Sequence, residues 1–205
     1  MSSVEFHHRT RHGPPTRLAV LPGSFNPPTI AHIELARAAK SLVDEVVFVL
    51  PQSFPHKEYF GATLAERVEL LKAADHQSSI ATTEGGLYIE IARDFRAHFG
   101  PATHIFLLCG RDAAERILTW DYGREGVVDE ILAEFEILVA PRGGEFSYPG
   151  RWAHRIRQLE VPSHLNEISL SEISSSELRE RIARGEPWEH LAPREIAERV
   201  RKIYS

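Results

Sequence analysis

The sequence predicts an α/β fold, a doubly wound parallel sheet with helices on both faces in a single domain, on three observations. Short apolar runs bounded by turn residues alternate with longer segments of helical period, the pattern of strands buried on both faces and joined by crossover helices. The chain has 205 residues, enough for one domain with a sizeable core. Its residues are 42% hydrophobic and 26% charged, ordinary for a globular protein and far from disordered or fibrous compositions.

Residues 1–16 are polar, with His7, His8, His12 and the pair Pro14-Pro15, and offer too little apolar burial to offset their ordering entropy. They predict a flexible tail ahead of a domain over 17–205. The three histidines have no carboxylate or thiolate at ligand spacing, so no metal site is expected there. Leu18–Leu21 and Glu45–Leu50 read as strands, and between them Ile33, Leu35, Ala36, Ala39 and Leu42-Val43 recur at helical spacing. Strand, helix, strand predicts a right-handed crossover as the opening unit. A second helix starts at Thr63, where Thr63 and Glu66 have capping-box spacing and Leu64, Val68 and Leu71 line one face.

Further strands are expected at Ile105–Cys109, Glu136–Val139 and Asn166–Ile168. Further helices are expected at Leu87–His98, Ala113–Leu118, Val127–Ala133, Arg151–Gln158, Ser175–Ala183 and Pro193–Ile203, the last opened by a proline that has no amide hydrogen to leave unpaired. Arg142–Gly150, rich in Gly and Pro, reads as a surface loop, and no repeat or linker divides the chain. Taken together these elements give a Rossmann-like sheet.

Acidic residues outnumber basic ones, 29 to 24, so a formal charge of −5 offers no broad attraction for nucleic acid or anionic lipid. Neither is expected as a partner. Cys109 is the only cysteine, which excludes an intrachain disulfide and a multi-thiolate zinc site and fits a reducing compartment. The longest apolar runs, such as Val46–Leu50, fall far short of the roughly 18 to 20 residues of a membrane span, and the amino terminus lacks an apolar signal core. These features predict a cytoplasmic protein.

The most informative stretch is Leu21-Pro22-Gly23-Ser24-Phe25-Asn26-Pro27-Pro28-Thr29-Ile30-Ala31-His32, between the first strand and the first helix. In an open parallel sheet, ligands bind beyond the strand carboxyl ends, and a helix amino terminus there attracts phosphate. Gly23 lets the backbone approach an anion, and Thr29 and His32 fall three residues apart on one helical face. Neither a glycine-lysine-serine phosphate loop nor a dinucleotide fingerprint is present. Alone, His32 reads more readily as a half-buried helical histidine with a satisfied ring than as a ligand.

With Thr29-Ile30-Ala31-His32 inside Gly23-Ser24-Phe25-Asn26-Pro27, the stretch resembles the nicotinate or nicotinamide mononucleotide adenylyltransferases of the nucleotidyltransferase superfamily. Three more segments follow in the order that family has them. Pro55-His56-Lys57 is similar to its proline-histidine-lysine segment, with Arg67 in the next helix. Leu107-Leu108-Cys109-Gly110-Arg111-Asp112, with Trp120 downstream, resembles its leucine-cysteine-glycine-alanine-aspartate segment and tryptophan. Ile173-Ser174-Ser175-Ser176-Glu177-Leu178-Arg179 is similar to its isoleucine-serine-serine-threonine-x-isoleucine-arginine motif. Taken singly, Trp120 also reads as a core residue and Ser174 with Glu177 as a plain helix cap. The likeness covers Leu18 to the carboxyl terminus.

The resemblance implies transfer of the adenylyl group of ATP to a pyridine mononucleotide, with pyrophosphate released, in NAD biosynthesis. It implies Mg2+ carried with ATP and no protein metal site. His32, Thr29, Lys57 and Arg179 are the implied catalytic groups. Gly23, Ser24, Phe25, His32, Gly110, Asp112, Ile173, Ser174, Ser175, Ser176 and Arg179 would line the ATP site, with Asp112 on the ribose hydroxyls. Asn26, Lys57, Tyr88 and Trp120 would hold the mononucleotide, with Trp120 stacked on the pyridine ring. Because the nucleophile is already an ionised phosphate, aligning two anions and neutralising charge suffices, and no proton-abstracting carboxylate is needed.

Two departures stand out: Arg111 replaces the family's small residue before Asp112, and Leu87-Tyr88-Ile89-Glu90-Ile91 keeps only Tyr88 of a serine-tyrosine-threonine segment. They leave open a nucleotidyltransferase with another phosphorylated acceptor, or a nucleotide-binding regulatory module without catalysis. A homo-oligomer is compatible with the family, although no isolated helix or strand demands one.

Overall fold

The computed structural model describes residues 3–52, 61–140, 146–160 and 173–205. Lys57, with its Pro55-His56 neighbours, and the expected strand Asn166–Ile168 lie outside the described residues.

The first parallel strands are β2 (Arg17–Pro22), β3 (Glu45–Pro51) and β5 (His104–Cys109), with the helix α1 (Ile30–Ala39) crossing from β2 to β3. β2 pairs in parallel with both β3 and β5, which puts it at the centre. One flank is completed by β4 (Ser79–Thr83), reached through α2 (Leu64–Ala74), and by β1 (Glu5–His8), antiparallel on β4. The other flank carries β6 (Glu136–Val139) and β7 (Ile156–Gln158), both parallel. The sheet order is therefore β1-β4-β3-β2-β5-β6-β7. The direction of winding reverses between β2 and β5, and a ligand crevice is expected beyond the carboxyl ends of those two strands.

Alternation along the strands divides the core between the two faces of the sheet. Leu18, Val20, Ile105 and Leu107 pack with Ile91 and Phe95 of α3 (Tyr88–Phe99), Ile117 of α4 (Arg111–Thr119) and Leu132 of α5 (Val127–Glu134). Ala19, Leu21, Phe48 and Phe106 face the other way, onto Ile33 and Ala36 of α1 and Val68 and Leu71 of α2. A third cluster joins Leu70 of α2 to Leu178 of α6 (Ser175–Arg184) and Ile196 and Val200 at the start and within α7 (Ala197–Tyr204). This last cluster brings the carboxyl-terminal helices against the first half of the chain.

The doubly wound expectation holds, and three local expectations are corrected. Within the segment expected as a flexible tail, residues 5–8 are ordered: β1 pairs with β4, and Phe6 packs edge-on against Phe95 at 6.1 Å. The helix expected over Arg151–Gln158 is a short turn at Gly150–Trp152 followed by β7. Pro193 precedes a short 3-10 turn, Arg194–Ile196, and the α-helix begins only at Ala197. The capping box at Thr63 forms as expected, with the Glu66 amide donating to Thr63 Oγ1 at 3.2 Å and the Thr63 amide to the Glu66 carboxylate at 2.7 Å. Among the described residues, no helix is long and apolar enough to cross a membrane.

Candidate active site

The loop from Gly23 to Thr29 leaves β2 at the point where the winding reverses. Phe25 anchors it: the side chain is buried between His32 and Phe48, with ring centroids 5.1 and 5.3 Å away, and its φ of 46° turns the chain sharply. A Cβ on residue 23 would lie 2.8 Å from the Phe25 ring, so Gly23 is what lets the ring fold back under the loop. The Asn26-Pro27 peptide bond is cis.

Thr29 caps α1 and is fully buried. Its amide donates to His32 Nδ1 at 3.0 Å, and its hydroxyl lies 2.8 Å from the same nitrogen. A backbone N–H can only donate, so Nδ1 is an acceptor and the ring proton resides on Nε2. The pair therefore makes His32 a hydrogen-bond donor at Nε2. Thr29 acts through His32, since its hydroxyl is turned to the imidazole. The first turn of α1 carries no acidic residue, which leaves the positive end of the helix uncompensated by its own side chains.

Two arginines from separate helices grip the same loop. Arg67 of α2, 3% exposed, donates to the Ser24 carbonyl at 2.8 Å. Arg179 of α6 donates to the Asn26 carbonyl and, at 3.3 Å, to Ser176 Oγ. Ser175 Oγ donates to the Pro27 carbonyl at 2.7 Å, and Ser174 caps α6 by accepting from the Glu177 amide at 3.0 Å. Ile173 has its side chain in the third core cluster. The 173–179 motif and the 23–32 motif thus meet, with the guanidinium of residue 179 and the imidazole of residue 32 attached to one loop at Asn26 and Thr29.

Across the reversal point, Gly110 caps α4 just beyond β5, and Asp112 is exposed in its first turn. Arg111 turns along the helix, with Nε 2.6 Å from the Glu115 carboxylate. Tyr88 opens α3; burial pushes its hydroxyl above the usual phenol range, a nearby Cys109 thiol adds to this, and the Arg116 guanidinium pulls part of it back. Trp120, just past α4, is 61% exposed, which rules out a core role for its indole. Tyr122 donates to the Ile117 carbonyl, and Tyr88, Leu118 and Tyr122 pack against the same core cluster, so the 117–122 stretch and the start of α3 lie side by side.

Residues 20–181 match the cytidylyltransferase-like family. A probable nicotinate-nucleotide adenylyltransferase of Moorella thermoacetica is 31% identical over 209 residues, covering 91% of this chain and 90% of the relative. The chain belongs to the nicotinate-nucleotide adenylyltransferase family. A relative from Thermus thermophilus with the same description is 29% identical over 195 residues, covering 91% of this chain and 97% of its own length. In fold, the protein is similar to the nicotinic acid mononucleotide adenylyltransferase of Plasmodium falciparum, solved with NaAD. Its TM-score is 0.64 at 15% identity, over 92% of this chain and 96% of that one. The family is one of nucleotidyl-transferring enzymes in NAD biosynthesis, and this chain is such a transferase.

Two residues absent from the sequence-derived site join it in the structure. Arg67 carried a local hint, following the Pro55-His56-Lys57 segment in the next helix. Tyr204, whose hydroxyl donates to Asn26 Oδ1, carried none, because 178 residues separate the partners.

Proposed function

We propose that the protein joins the adenylyl group of ATP to nicotinate mononucleotide, and that the loop over 23–29 with His32 is where the phosphates meet. The observation that carries this is the Thr29–His32 pair, which fixes an imidazole donor at the amino terminus of α1 beside the loop that Arg179 and Ser175 also grip. In the reaction, an oxygen of the mononucleotide phosphate attacks the α-phosphorus of ATP. The new P–O bond forms as the bond from that phosphorus to the bridging oxygen breaks, and the electron pair leaves with pyrophosphate. His32 Nε2–H, preorganised by Thr29, donates to the triphosphate as charge grows on it. Arg179 and Lys57 neutralise the phosphates, and the amides at the start of α6 add further donors.

On the acceptor side, Trp120 offers an exposed aromatic face for the pyridine ring, and Asp112 an acceptor for ribose hydroxyls. The Arg116 charge beside Tyr88 suits a pyridine carboxylate better than an amide, in keeping with the nicotinate named for the relatives. The His32 ring N–H and the guanidinium groups at the loop match phosphate oxygens and not a cation. Magnesium would be held by the triphosphate and its own waters, not by a protein cage, and would supply charge neutralisation there. Cys109 as a buried thiol fits a reducing compartment such as the cytoplasm.

The test is pyrophosphate release from ATP and Mg2+ on adding nicotinate mononucleotide, with nicotinamide mononucleotide run alongside. Release with the nicotinate form in excess over the amide form is expected. ATP binding without turnover over a panel of phosphorylated acceptors would overturn the reading in favour of a regulatory module.

A further inference from the structure

Tyr204, in the last turn of α7, joins three parts of the chain. Its hydroxyl donates to Asn26 Oδ1. Its ring lies against Gly61: a Cβ there would come within 2.6 Å of Tyr204 Cε1, and Gly61 has a φ of +85°. Space and backbone conformation both call for glycine at that contact. Arg67 and Arg179, which hold the Ser24 and Asn26 carbonyls, lie within electrostatic reach of the phenol. The ring therefore bridges the loop after β2, the residues leading into α2, and α7.

This hydrogen bond decides which way the Asn26 amide faces. The phenolic O–H donates to Oδ1, which is the only acceptor of an amide side chain. Oδ1 therefore faces Tyr204, and Nδ2, the donor end, is turned away from it. Burial pushes the Tyr204 hydroxyl up to about 12, so the proton that makes this choice is present throughout the neutral range.

We propose that Tyr204 is a positioning residue for adenylyl transfer, locking the Asn26 amide so that the mononucleotide phosphate meets its NH2 end. Reversal of the amide would set an oxygen lone pair against an anion. This rests on the reading of the 23–29 loop as the phosphate site.

The experiment is a double-mutant cycle on the full chain with ATP and nicotinate mononucleotide, comparing Tyr204→Phe, Asn26→Ala and the double variant, with thermal melting of each. Tyr204→Phe is expected to lower kcat/KM for the mononucleotide about tenfold with the melting transition retained. In the Asn26→Ala background the same change should cost less than about twofold, because the group it positions is gone. Gly61→Ala, which displaces the ring without altering the phenol, should behave like Tyr204→Phe and supplies the answer if that variant does not fold. Wild-type activity in Tyr204→Phe, or an equal loss in both backgrounds, would overturn the proposal. A wild-type protein that releases no pyrophosphate would instead sink the functional reading beneath it.

Discussion

The two sides of the reversal point are built differently. The loop over 23–29 is tied down from every side, by Arg67 of α2, Ser175 and Arg179 of α6, Tyr204 of α7 and the Thr29–His32 pair of α1. The wall formed by the start of α3 and the 111–122 stretch is open, with Leu87 51% and Trp120 61% exposed. With the phosphates at the loop and the pyridine ring at the wall, as proposed above, charge develops on the phosphates during transfer, so donors at the loop are most useful when they need no rearrangement. A pyridine ring carries little of that charge, and an aromatic platform can wait in solvent for its ligand.

This contrast sets the sizes of the expected effects. His32→Ala removes a preorganised donor, and kcat should fall about a hundredfold or more with KM for both substrates little changed. Steady-state kinetics decides it: a loss confined to KM would mean that the tied-down loop merely binds. Trp120→Ala removes only a stacking surface. It should raise KM for the mononucleotide about tenfold and leave kcat within about twofold. A kcat loss as large as that of His32→Ala would erase the distinction between the two sides.

The same contrast separates what the sequence makes legible from what it hides. β3 and β5 are continuous apolar runs, and their boundaries read to within a residue. β4 is Ser-Ile-Ala-Thr-Thr and wholly buried; Ser79 and Thr82 are satisfied by partners distant in sequence, Glu45 and His7, so no alternation marks it. β1 exists because β4 offers it an edge, which composition cannot reveal. Trp152 and Ile156 have helical spacing, yet both are buried in a core that accepts a turn and a strand. In the site, the Thr29–His32 pair is local and its spacing is visible, whereas the grips of Arg67, Arg179 and Tyr204 on the loop depend on three helices folding onto it.

Arg111→Ala gives the smallest expected effect and asks whether the acceptor wall is as open as its exposure implies. In the sequence Arg111 stands where the family has a small residue before Asp112, but its guanidinium is drawn along α4 to Glu115 in an i,i+4 pair with side chains 28% and 43% exposed. Such a pair contributes only about 0.3–0.5 kcal/mol to the helix. Removing it should therefore change kcat/KM for either substrate by less than about threefold, with a correspondingly small shift in the melting transition. A tenfold gain in kcat/KM for ATP or the mononucleotide would show instead that Arg111 leaves Glu115 and obstructs the site. The wall would then be gated by its own arginine, and the difference between a fixed side and an open side would be one of conformation, not of construction.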